Sequence, residues 1–280
     1  MWIYFFLSLI FTTWLLLHLR MVRHKPLPLN LFDENNNRIR LATHRGAGKM
    51  GEVPENTLAA FEYSTALGFR CHELDVRISK DGTPLLFHGP FLQKNTEGNG
   101  RVETKNFQEL ATLNWGHYLS DGTRYPVTSL LTHLKSISNT CFTNIEIKRD
   151  ARDFSRGLEE KVFEIATPFE NRIFFSSFNY LSLYRIRKLI KISGKKIPLG
   201  VLVDTIPLFR MVLYLKRLLF LPDSLHPPAT KVTRKFVTRY KKAGYNIVVW
   251  YTNDPEKIRA LLDWGVDLVI VDDMTLINRF

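Results

Sequence analysis

Apolar positions along the chain fall into two regimes. Residues 1–19 carry no charge and are dominated by Trp, Ile, Phe and Leu, close to the roughly 20 residues that cross a bilayer core as a helix. From about residue 40 onward, short β-rich apolar runs alternate with stretches whose apolar side chains recur at helical spacing. That alternation is the pattern of parallel strands joined by crossover helices. It predicts strands at 41–44, 72–76, 144–148, 173–176, 198–203, 223–226, 247–251 and 268–271, and helices at 57–67, 154–166, 181–192, 208–220, 231–243 and 255–264. Eight such strand–helix units in about 240 residues have the size of one α/β domain, a (β/α)8 TIM barrel; a doubly wound open sheet is the alternative. Residues 81–128 interrupt the alternation after the second strand, with a further strand at 84–88 and a glycine-marked turn at 96–100, and are read as a small insertion on the barrel rim. No internal repeat is present. The expected organisation is a transmembrane anchor at 1–24, a linker at 25–39 and the barrel at 40–280.

Composition changes this picture mainly through charge. A hydrophobic fraction of 45% with 20 Phe in 280 residues excludes a disordered chain. Cys71 and Cys141 are too few to make a disulfide scaffold and read as buried free thiols. The net charge of +12 is concentrated: residues 185–242 hold fifteen basic and two acidic side chains, while the rest of the chain is nearly neutral. An anionic partner is implied there. A membrane surface fits better than nucleic acid, for which no recognition motif accompanies the charge. Arg20, Arg23 and Lys25 follow the N-terminal apolar run instead of preceding it, which suits an anchor better than a cleaved signal. Positive residues beside a span stay cytoplasmic, so the barrel is expected in the cytoplasm. Pro26 and Pro28 are expected to end the helix. The apolar and basic segment 206–221 reads equally as a bilayer-facing helix and as an ordinary barrel helix.

Candidate chemistry sits where the predicted strands end. His44 and Arg45 close the first strand, Glu73 and Asp75 lie in the second, His88 ends the inserted strand, and Glu146 and Lys148 lie in the third. In a barrel of this kind the C-terminal ends of the strands form one mouth. Residues two apart on a strand share a side, so Glu73 projects with Asp75 and Glu146 with Lys148. Three converging carboxylates without Cys or His ligands suit a hard divalent cation, Mg²⁺ or Ca²⁺, and two histidines beside it supply a proton acceptor and a donor near neutral pH. Trp250 and Tyr251 end the seventh strand and are candidates to line the mouth against glycerol or a choline headgroup. His226, and Ser176 with Phe178, occupy comparable positions on other strands.

The runs His44-Arg45-Gly46, Pro54-Glu55-Asn56-Thr57, Glu73-Leu74-Asp75-Val76, Lys80-Asp81-Gly82, His88, Asn144-Ile145-Glu146-Ile147-Lys148 and Trp250-Tyr251-Thr252-Asn253 resemble, in order and spacing, the glycerophosphodiester phosphodiesterase family. The resemblance implies a (β/α)8 barrel, catalytic roles for His44 and His88, a divalent metal on Glu73, Asp75 and Glu146, and phosphate contacts from Arg45 and Lys148. It implies hydrolysis of a glycerophosphodiester to glycerol 3-phosphate and an alcohol, with the glycerol 2-hydroxyl or water as nucleophile. The membrane features add a lysophospholipid substrate as the alternative, which is lysophospholipase D chemistry. The family usually has Asp after the second histidine, whereas Gly89 stands here; loss of that carboxylate bears on the imidazole and the metal shell and leaves a catalytically impaired lipid-binding scaffold as a non-enzymatic reading.

Overall fold

The apolar runs close on themselves. A computed structural model describes residues 2–46, 53–119, 122–137, 141–150, 157–204 and 208–280. Strands β1 (Leu41–His44), β2 (Cys71–Ile78), β4 (Phe142–Ile147), β5 (Ile173–Ser177), β6 (Leu199–Leu202), β7 (Ser224–His226), β8 (Asn246–Trp250) and β9 (Leu268–Val271) pair in parallel in that order, and β9 returns to β1. The TIM barrel read from the sequence is therefore present. Strand β3 (Pro84–Leu86) pairs antiparallel with the end of β2. The strands are buried almost throughout, because the barrel interior covers one face and the helices cover the other.

The outer layer comprises α2 (Leu58–Ala66), α4 (Leu130–Ile137), α5 (Leu158–Ala166), α6 (Tyr180–Ser193), α7 (Phe209–Phe220), α8 (Arg234–Lys242) and α9 (Pro255–Asp263), with a 3₁₀ turn, Met274–Arg279, after β9. Thr57, Asn179, Thr233 and Asp254 cap α2, α6, α8 and α9 by accepting backbone N–H bonds through their side chains. Helix α4 has no counterpart in the sequence expectations. The predicted helix 154–166 is seen from Leu158, its first residues lying outside the described segments. Insertion 81–128 emerges beside the C-terminal end of β2, contains the short helix α3 (Phe107–Ala111), and has its own small core of Leu85, Phe87, Leu92, Val102, Leu110 and Trp115.

Helix α1 (Trp2–Arg23) is long and apolar enough to cross a membrane, a test that a signal sequence also passes. Residues after it run beneath the barrel. The backbone N–H of Leu27 donates to Asp223 and that of Leu29 to Asn246, while Leu29, Leu31 and Ile39 pack against Ala42, Phe142, Phe174 and Val248. Both cysteines are free and buried, as expected.

Candidate active site

Sheet register builds the site in layers. His44 pairs with Glu73, and Glu73 with Asn144; two residues on, Asp75 pairs with Glu146, and Glu146 with Ser176. The alternation that puts Glu73 and Asp75 on one side turns both into the barrel, where ligand oxygens of Glu73, Asp75 and Glu146 lie within 4.8 Å of one another. Lys148, one residue past β4, places Nζ 2.5 Å from Glu146 and 3.1 Å from Asp75. His44, Arg45, Glu73, His88, Asn144, Glu146, Lys148, Phe178, Leu202, Trp250, Tyr251 and Ile270 surround a cavity of about 220 Å³ at the C-terminal mouth. Of the residues expected in the site, His44, Arg45, Glu73, His88, Glu146, Lys148, Phe178, Trp250 and Tyr251 border it, and Asp75 lies with the other two carboxylates.

A short segment after β1 performs much of the positioning. Arg45 and Gly46 both adopt left-handed backbone, with φ of +58° and +89°; a Cβ on Gly46 would fall 2.9 Å from that of Ala60, so this turn requires glycine. Arg45 reaches Glu55 at 2.9 Å and Asp75 at 3.0 Å. Asn56, also left-handed and buried, donates to Asp75 Oδ2 at 3.0 Å and accepts from its backbone N–H at 3.2 Å. The Glu55-Asn56-Thr57 run therefore fastens the arginine, fastens a carboxylate, and caps α2. Strained backbone at such positions marks places the surrounding structure over-determines.

Charge follows from this packing. Burial disfavours the anion of Asp75, yet Lys148 and Arg45 outweigh it and hold Asp75 well below the carboxylate range. Burial pushes Glu73 up, reinforced by Asp75 and Glu146; burial also raises Glu146, against the pull of Lys148. Burial opposes the charge of Lys148 and Arg45, but the neighbouring carboxylates keep both protonated above their ordinary values. Glu73 Oε1 is buried without a hydrogen-bond partner. Three carboxylates against two cations, with that oxygen unpaired, fit a hard divalent cation and do not distinguish Mg²⁺ from Ca²⁺.

The histidines differ. His44 donates through Nδ1 to Asp272 Oδ1 at 2.6 Å and aims Nε2 at Glu73, 4.0 Å away. Burial lowers His88 to about 3, only partly offset by Asp75, so its ring is neutral; its backbone carbonyl accepts from Arg77 Nε at 3.1 Å, and Arg77 is pinned by Glu103 and Asp150. A Cβ at Gly89 would meet nothing closer than 3.9 Å, so no steric demand explains glycine there. Asp272 and Asn144 are absent from the sequence expectations. Asn144 shares the inward phase of Glu146 two residues on, a signal readable in the sequence; Asp272 follows an apolar strand and has none. Both polar atoms of the Asn144 side chain are buried in the cavity wall without a partner. Trp250 lines the mouth and donates Nε1–H to the His226 carbonyl at 3.0 Å. His226 is fully buried inside the barrel, bonded to Ser224 at 2.8 Å and not lining the cavity; Ser176 is likewise interior.

Comparison with known proteins decides the family. Residues 44–276 match the model of the glycerophosphoryl diester phosphodiesterase family. The chain belongs to that family. It is a phosphoric diester hydrolase by membership, and the family depends on divalent cations. The chain is 33% identical to the glycerophosphodiester phosphodiesterase of Caldanaerobacter subterraneus over 84% of its own length and 95% of that relative, and 30% identical to the one from Bacillus altitudinis over 83% and 94%. Among solved structures it is similar to a phosphodiesterase from Oleispira antarctica in complex with the product sn-glycerol-3-phosphate, with TM-score 0.71, 27% identity, and coverage of 86% and 95%. It is also similar to the glycerophosphodiester phosphodiesterase from Thermotoga maritima, with TM-score 0.68, 28% identity, and coverage of 87% and 98%.

Proposed function

We propose that this phosphodiesterase cleaves glycerophosphodiesters to glycerol 3-phosphate and an alcohol through His44 and His88, with a divalent cation held by Glu73, Asp75 and Glu146. The observation that carries the reading is the pairing of His44 with Asp272 at the edge of the carboxylate cluster. Asp272 accepts the hydrogen bond from Nδ1–H, which turns Nε2 of His44 toward the cavity. His88 borders the same cavity, and the two imidazoles share the proton transfers: one accepts the proton of the attacking hydroxyl and the other gives a proton to the leaving alcohol oxygen as the P–O bond breaks. Arg45 and Lys148 bring positive charge to the phosphoryl oxygens, and Asn144 offers its unpaired amide to a glycerol hydroxyl. The cation, when bound, supplies Lewis-acid stabilisation worth several kcal/mol.

A lysophospholipid is the second substrate reading, favoured by the apolar wall of Phe178, Leu202, Trp250 and Ile270; its products are lysophosphatidic acid and the headgroup alcohol. The test is mass spectrometry of products from glycerophosphocholine and lysophosphatidylcholine, with Mg²⁺ or Ca²⁺ supplied. Glycerol 3-phosphate is expected from the wild type and should fall by about 10²–10⁴-fold in His44→Ala. Equal turnover by His44→Ala would remove the assignment.

A further inference from the structure

The seating of α1 on the barrel carries an inference about how the active site meets its surroundings. Trp14 of α1 donates its Nε1–H to the Tyr214 hydroxyl of α7 at 3.1 Å. His18 lies 3.2 Å from the same hydroxyl, Met21 is buried, and His24, just past the helix, approaches the Pro222 carbonyl at 2.9 Å. Spacings of three and four residues make this one stripe of a helix. Low numbers of α1 meet low numbers of α7 and high meet high, so the two helices run in the same direction. Pro222 precedes β7 and lies at the barrel bottom. Lys216 of α7 donates to the carbonyls of Phe178 and Leu202 at the mouth, so the turns of α7 before it lie on the mouth side. Residues 2–13 of α1 are exposed throughout and extend about 18 Å at 1.5 Å per residue in the mouth-side direction.

Around the root of this projection the surface is apolar and basic. Leu208 just before α7, Met211 of α7, and Leu181 and Tyr184 near the start of α6 are exposed. Arg210 beside them is exposed, as are Lys231, Arg234 and Lys235 at the mouth-side end of α8. Exposed apolar side chains grouped with cations at the base of an apolar helix complement a bilayer whose surface is anionic. We propose that the barrel docks on an anionic bilayer through this face, with the N-terminal half of α1 inserted and the active-site mouth opening at the lipid surface. The proposal rests on the phosphodiesterase reading only for its consequence, that a substrate held in the bilayer reaches the site without leaving it.

The test uses the full chain in vesicles of phosphatidylcholine and phosphatidylserine, spin-labelled at Met211→Cys on the mouth-side face or Lys196→Cys at the barrel bottom; the native thiols are buried and do not compete. Oxygen, which concentrates in lipid, should broaden the Met211 label far more than the Lys196 label. Equal broadening, or the reverse order, would overturn the docking orientation. A second measurement compares Met211→Glu with the wild type. The proposal expects turnover of vesicle-borne lysophosphatidylcholine to drop about tenfold, with soluble glycerophosphocholine turnover unchanged. An equal drop on both substrates would count against it. Because label depth needs no turnover, absence of activity on every substrate would defeat the functional reading and leave the docking result standing.

Discussion

At the scale of single residues, the site depends on side chains that hold the reactive ones in place. Asp272 is the clearest. It lies just after β9 and accepts from Nδ1 of His44, which leaves Nε2 turned toward Glu73. Asp272→Asn keeps the shape of the side chain but no longer anchors the Nδ1–H with a charge. We expect turnover of glycerophosphocholine to fall about 10–100-fold with little change in KM, the usual size for partners that orient a functional group. A change confined to KM would show that Asp272 only shapes the cavity. Asn56 and Glu55 act in the same spirit on Asp75 and Arg45, which gives the Pro54-Glu55-Asn56-Thr57 run its physical meaning.

At the scale of elements, the barrel interior is filled by exchanges of volume between neighbouring strands. A Cβ on Gly200 of β6 would lie 2.2 Å from Nε2 of His226 on β7, so glycine on one strand makes the hole that the imidazole of the next fills. Gly200→Ala should destabilise the fold by about 1–3 kcal/mol through overpacking. In the double variant with His226→Ala the two effects should be far from additive, because each relieves the other; urea unfolding of all four proteins measures the coupling, and additivity would mean that the strands shift apart instead. Such complementarity is invisible to a pattern reading, which is why His226, at a strand end, was open to a role in the site. What the pattern does reveal is considerable. Continuous apolar strands interrupted by Glu73, Asp75 and Glu146 made both barrel and carboxylate cluster legible, since charge inside a strand buried on both faces is costly and needs a partner or a function to offset it. Helix α4 escaped although Leu130, His133, Leu134 and Ile137 form a buried stripe; it is short, one stripe position is a histidine, and it follows a long insertion with its own core. Asp272 escaped because nothing in its local sequence says that the chain end of the barrel returns to β1.

At the scale of the whole molecule, the barrel buries ionisable groups it does not use for chemistry, and these set its acid limit. His72 and His226 are fully buried; burial, with Arg70 adding to it for His72, brings each to about 3, and burial also holds His133 well below its ordinary value. All three are therefore neutral in the folded chain at pH 7. The unfolded chain titrates its histidines near 6.5. Between about pH 3 and 6.5 the unfolded state binds more protons than the folded state, so stability from these groups is complete above pH 6.5 and declines as pH falls. Each histidine contributes a slope approaching about 1.4 kcal/mol per pH unit well below 6.5. Burial of Glu73 and Glu146 pushes their proton affinity up and gives the opposite slope, so the histidine contribution is best isolated by difference. Urea unfolding of the full chain in mild detergent, from pH 7.5 down to 5, should show wild type losing stability faster than His226→Gln, with the gap opening only below about pH 6.5. Parallel curves would mean that His226 gains a proton without unfolding, and that the barrel interior admits water where the packing of Gly200, Ser224 and Phe174 around the ring leaves no room for it.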